Sequence, residues 1–213
     1  MQACNQQTTH RGVGHTLEWP ITLTAAILAG GRAIRLGGLD KSALTVGGRS
    51  ILDRELDVLR QLTTRILIVA NDSTRFPGTG VPVKADRLPG AGALGGLYTA
   101  LVEASTELVL VIACDMPFLT HAFLAWLVDQ SAGVDVVVPR DARGRHPLCA
   151  VYATRVAPHL KACIEAGRLR VGSALEGLAV REMGPEQWAP YDHDGRLLLN
   201  VNTPDDYALA TGR

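Results

Sequence analysis

At 213 residues the chain is long enough to bury a sizeable core in one domain or two small ones, which excludes a disulfide-stapled miniprotein. Hydrophobic residues make up 47% and charged residues 20%, so neither wholesale disorder nor a fibrous repeat is expected. Lys plus Arg and Asp plus Glu number 21 each, a balance that argues against general affinity for nucleic acid or an anionic membrane and leaves any anionic ligand to a local cluster.

Residues 1–20 are polar and lack a secretory apolar core, and read as a disordered leader before a single domain over 21–213. Ile21 to Ala29 is an apolar run that stops at Gly30-Gly31, a buried strand entering a glycine loop. Ser50 is an N-cap candidate, and Ile51, Leu52, Leu56, Leu59 and Leu62 recur at helical spacing. Strands are then expected at Arg65–Ala70, Val81–Ala85, Leu108–Ala113, Val134–Val138 and Leu148–Tyr152. Helices are expected at Ala93–Ala104, Thr120–Gln130 and Arg155–Ala166, the last closed by Gly167, with a final helix starting at Thr203-Pro204-Asp205-Asp206. This alternation predicts an α/β fold of three layers, a mainly parallel central sheet with helices on both faces. Ligand sites in such folds lie at the carboxyl ends of the strands, where Gly30, Asn71, Asp86 and Asp115 all fall.

The apolar runs are far shorter than the roughly 20 residues a bilayer crossing needs, so no membrane span is expected. Cys4, Cys114, Cys149 and Cys163 show no zinc-like or disulfide-frame spacing, which points to a reducing cytoplasm.

Leu28-Ala29-Gly30-Gly31, followed by Arg35, Gly37-Gly38 and Lys41, sets flexible backbone and two cations just beyond a strand. Backbone N–H groups can close on phosphate oxygens where no Cβ intrudes, and the cations neutralise the charge. The spacing fits neither a Walker loop nor a dinucleotide turn. Asp115, in Cys114-Asp115-Met116-Pro117, ends the most apolar strand, and Thr120 is the better cap for the next helix. An isolated carboxylate beside a phosphate loop suits a magnesium ligand, because Mg²⁺ commonly takes one or two carboxylates plus substrate phosphates. Cys114 fits the core better than a nucleophile's role. Asn200-Val201-Asn202 alternates as a short strand would, with both amides on one face; a polar site and a capping role fit it equally.

Together these motifs, with Asp40-Lys41, Gly92-Ala93-Leu94-Gly95-Gly96, His146-Pro147-Leu148 and Asn200-Val201-Asn202-Thr203-Pro204, resemble the molybdenum cofactor guanylyltransferases of MobA type from Leu23 to the C-terminus. The resemblance implies a Rossmann-like nucleotidyltransferase fold. It also implies Mg²⁺-dependent transfer of GMP from GTP to molybdopterin or Mo-molybdopterin, with release of pyrophosphate. Carried over, it places GTP on Leu28, Ala29, Gly30, Gly31, Lys41 and Asp86, with Asn71 the remaining amide where the family often has Asn-Ala-Asn and this chain has Val69-Ala70-Asn71. It puts the metal on Asp115, pyrophosphate stabilisation on Arg35 and Lys41, and the pterin on His146, Arg168, Arg170, Asn200 and Asn202. Cofactor-insertion chaperones and molybdenum-insertion proteins are the partners it suggests. The alternative is a related transferase using CTP or another NTP with a pterin or sugar-phosphate acceptor. Gly30 discriminates, because related cytidylyl enzymes usually carry alanine there.

Overall fold

The computed structural model describes residues 22–30 and 44–212, so the leader, Gly31, Arg35 and Lys41 lie outside the described residues. The strands are β1 (Leu23–Leu28), β2 (Thr45–Val46), β3 (Arg49–Ser50), β4 (Ile66–Ala70), β5 (Val83–Ala85), β6 (Leu108–Ala113), β7 (Val136–Asp141), β8 (Gly144–Arg145), β9 (Cys149–Ala153) and β10 (Val180–Met183). The helices are α1 (Ile51–Arg60), α2 (Gly92–Glu103), α3 (His121–Asp129), α4 (Ala157–Glu165), α5 (Val171–Ala174), α6 (Pro185–Trp188) and α7 (Pro204–Thr211). No helix among the described residues is long and apolar enough to cross a membrane.

Successive side chains of a strand point to opposite faces, and the central strands are apolar on both. Leu23, Ala25 and Ile27 of β1, Ile66 and Ile68 of β4, and Leu110 and Ile112 of β6 join one core with Leu52, Leu56 and Leu59 of α1 and Phe123, Leu124 and Leu127 of α3. The alternate residues Ala26, Leu28, Leu67, Val69, Val109 and Val111 join a second core with Leu94, Leu97 and Leu101 of α2 and Leu160 and Cys163 of α4. Helix, sheet and helix are therefore the three expected layers. A smaller cluster of Leu44, Val46, Ile51, Leu199 and Val201 ties the β2–β3 hairpin to the C-terminal segment.

The sheet runs β10-β7-β9-β6-β1-β4-β5, with β8 paired to β7. Pairings β1–β4, β1–β6, β4–β5 and β7–β10 are parallel, and β9 runs antiparallel to β6 and β7. From β1 the chain moves outward through β4 and β5, and α2 then returns it across the second core to β6, on the other side of β1. Such a reversal opens a crevice beyond the carboxyl ends of the strands.

The caps follow the sequence. Asp53 N donates to Ser50 Oγ at 3.0 Å, Phe123 N to Thr120 Oγ1 at 3.3 Å, and Asp206 N to Thr203 Oγ1 at 3.1 Å. Three expectations are corrected. The helix expected from Arg155 starts as a single 3₁₀ turn at Thr154–Val156 before α4, β7 is displaced toward Asp141, and Asn200–Asn202 forms no strand. Val201 is nonetheless fully buried, and its N–H donates to Asp115 O at 2.8 Å, so the alternation holds without a strand partner.

Candidate active site

Beyond the carboxyl ends of β1, β4, β5 and β6 lies a cavity of about 480 Å³ whose walls include Gly30, Asn71, Asp86, Asp115 and Asn202. Leu28 and Ala29 complete the β1 wall, and the Ala29 N–H donates to Val69 O at 2.8 Å, fixing the backbone as it enters the glycine loop. A Cβ on Gly30 would stand 3.5 Å from Asn71 Oδ1, an ordinary contact, so packing against the described residues does not force the glycine. Its open face belongs to the cavity.

Asp86 follows β5, and its backbone N–H extends the ladder to Ala70 O at 3.0 Å. Its Oδ1 accepts from Leu88 N and from Thr99 Oγ1, each at 3.0 Å, while Thr99 Oγ1 accepts from Arg87 N at 2.9 Å. Thr99 is fully buried on α2, so this network fixes the carboxylate before any ligand arrives. Gly95, one turn earlier on α2, makes room for it: a Cβ there would lie 2.9 Å from both Asp86 Oδ2 and Leu88 O. Lys84 and Arg87, on either side of Asp86, both reach Glu103 on α2, at 2.9 and 2.7 Å. Hydrogen bonds from Lys84 and then Arg87 hold the Glu103 carboxyl below its ordinary range.

Asp115 stands across the cavity from Asp86, with β1 and β4 between. Asn200 Nδ2 donates to its Oδ1 at 2.8 Å, which sets the carboxylate plane. Asn200 is thus brought to the aspartate, and Asn202 to the cavity wall. The other residues expected near the pterin are not brought there. His146 Nε2 lies 3.0 Å from Asp141 Oδ2, and Arg168 and Arg170 are exposed between α4 and α5. None of the three lines the cavity.

The sequence reading missed three residues. Arg75 lines the cavity, donating Nη1 to Ala29 O at 3.3 Å with its guanidinium over the Phe76 ring; an arginine in an irregular loop carries no spacing signal. Thr99 is hidden as a polar residue on the buried face of α2. Glu55 is 2% exposed on the core face of α1, and its Oε1 accepts from Met116 N at 3.0 Å. Burial pushes its carboxyl well above the ordinary range, the Met116 N–H opposes this, and the charge of Asp115 adds to it. A glutamate among leucines at helical spacing was the available signal.

No three His, Cys, Asp or Glu side chains among the described residues converge as a metal cage. The donor set at Asp115 instead fits a hard divalent ion held by one carboxylate, with phosphate oxygens and water supplying the remaining ligands.

A family model described as the MobA-like NTP transferase domain matches residues 25–179. The chain is 37% identical over 193 residues to the probable molybdenum cofactor guanylyltransferase of Chloroflexus aggregans, covering 88% of this chain and 92% of that protein. It is 31% identical to the molybdenum cofactor guanylyltransferase of Desulfosudis oleivorans, covering 88% and 94%. Among solved structures it resembles the molybdopterin-guanine dinucleotide biosynthesis protein A of Archaeoglobus fulgidus, with a TM-score of 0.76, 27% identity, and coverage of 89% and 97%. By sequence, by sheet order and by the cleft at its strand ends, the chain belongs to the MobA-like NTP transferase family.

Proposed function

We propose that this protein is a molybdenum cofactor guanylyltransferase, transferring GMP from GTP to the terminal phosphate of molybdopterin or Mo-molybdopterin. The observation that carries the reading is the cleft in which Asp86 and Asp115 face each other across the glycine end of β1, in a chain whose relatives bear that name. An acceptor phosphate oxygen attacks the α-phosphorus of GTP in line; the new P–O bond forms as the bond to the bridging oxygen breaks, and pyrophosphate leaves with the electron pair. No covalent enzyme intermediate is required.

The protein's part is positioning and charge neutralisation. Backbone at Leu28, Ala29, Gly30 and Gly31 receives the nucleotide, Asn71 and Asp86 orient it, and Arg35 and Lys41 stabilise the departing pyrophosphate. Asp115, its plane set by Asn200, holds Mg²⁺, which when bound supplies positive charge to the phosphate oxygens. For the pterin we assign Asn202, which lines the cavity, with His146, Arg168 and Arg170 farther out. The product must be handed on, so cofactor-insertion chaperones and molybdenum-insertion proteins are the proposed protein partners. The reduced, buried thiols of Cys149 and Cys163 support a cytoplasmic setting.

The test is pyrophosphate release with each of the four NTPs, with and without molybdopterin. Release that requires both GTP and the pterin is expected. Turnover with GTP and a sugar phosphate in place of the pterin would defeat the acceptor assignment.

A further inference from the structure

Burying a carboxyl costs free energy unless its oxygens are satisfied, and α1 could have been apolar throughout its core face. Glu55 interrupts that face between Leu52, Leu56 and Leu59. Its Oε2 is buried with no hydrogen-bond partner among the described residues, so the side chain does not serve the helix it sits on. What it does serve is the backbone of Met116, 61 positions away and one residue beyond Asp115.

The neighbouring residue acts on the same loop. Arg54 Nε donates to Pro117 O at 3.1 Å, and its Nη1 donates to Val46 O at 3.2 Å. From the other side, Val201 N donates to Asp115 O and Asn200 Nδ2 to Asp115 Oδ1, both at 2.8 Å. The three residues Asp115, Met116 and Pro117 are thus gripped from α1 beneath and from the C-terminal segment beside them. A second, open cavity of about 210 Å³ adjoins the loop, lined by Arg54, Glu55, Met116, Pro117 and Leu119 among others.

We infer that Glu55, helped by Arg54, is a positioning residue for Asp115: it holds the Met116 amide so that the aspartate meets its divalent ion and substrate at a fixed height above α1. Glu55 does not line the cleft and acts through Met116. The inference rests on the reading of Asp115 as the metal ligand, and it extends the site one layer into the core.

The test compares wild type, Glu55→Gln and Glu55→Leu as full-length chains. Mn²⁺ affinity in the presence of GTP is read from the resonance of free Mn²⁺, and kcat, KM for GTP and the Mg²⁺ activation constant from pyrophosphate release. Glu55→Leu leaves the Met116 N–H without an acceptor. It is expected to raise the Mn²⁺ dissociation constant and the Mg²⁺ activation constant together by on the order of tenfold, with KM for GTP within about threefold of wild type. Glu55→Gln keeps a carbonyl acceptor and should restore both metal constants. If Glu55→Leu does not fold, Glu55→Asp, one methylene too short to reach Met116, replaces it with the same expected direction.

A purely structural role predicts a lower melting temperature with unchanged metal constants, and that result overturns the inference. So does a wild type that binds no Mn²⁺. If the wild type binds Mn²⁺ yet releases no pyrophosphate from GTP, the guanylyl reading fails, and the Mn²⁺ comparison still decides the role of Glu55.

Discussion

Two adjacent glycines on α2 carry opposite expectations, because the space beside them differs. A Cβ on Gly96 would sit 3.8 Å from the Leu28 methyls, so Gly96→Ala meets no clash among the described residues and gains helix propensity of up to about 1 kcal/mol. A Cβ on Gly95 would strike the Leu88 carbonyl and the Asp86 carboxylate at 2.9 Å, and a carbonyl in the backbone cannot step aside cheaply. Gly95→Ala should therefore destabilise by about 1–3 kcal/mol despite the propensity gain, which paired thermal melts would measure. At Asp115, alanine should leave the fold intact and lower kcat by on the order of a hundredfold or more, since a charge-stabilising contact at the transition state is lost. Near-normal turnover in a folded Asp115→Ala would remove the aspartate from the chemistry. Gly30, Asn71, Asp86 and Asp115 were legible in the sequence because each ends a strand, and strand ends are where this topology opens. Glu55 and Thr99 were not, because a polar residue on the buried face of a helix says nothing about which distant loop it meets.

Among the elements, the pin between β5 and α2 depends on pH. Glu103 has its carboxyl held below the ordinary 4.5 by Lys84 and Arg87, so its stabilisation is fully present above that value and fades as pH falls below it. Glu103→Gln should accordingly be less stable than wild type at neutral pH, by well under about 1 kcal/mol for so solvent-screened a pair. The gap should close on acidification through and below pH 4.5; a gap that widened would mean the carboxyl is not stabilised by its cations. Long apolar strands and capped helices were readable because two- and 3.6-residue periods, closed by Ser50, Thr120 and Thr203, leave little choice. The two-residue strands β2, β3 and β8 are too short to show any period, and β10, with Arg181 and Glu182 exposed, looks like a polar turn. The segment Asn200–Asn202 has the alternation of a strand yet pairs with no strand, because its Val201 N–H is taken by Asp115 O.

Across the described residues, one sheet of eight strands divides two helix-covered cores, and its order reverses around β1 so that four strand ends open on a single cleft. We propose that residues 21–213 form one domain on this sheet, which predicts a single unfolding transition, coincident by circular dichroism and by tryptophan fluorescence. Function then turns on which nucleotide the cleft accepts. Guanine offers N1–H and an exocyclic amine, and a site with acceptors placed for them leaves those acceptors unpaired when cytosine enters. The most direct measurement is kcat/KM for GTP and for CTP in pyrophosphate release with molybdopterin as acceptor. A preference for GTP of roughly a hundredfold or more is expected; equal use of CTP would contradict the guanylyl assignment.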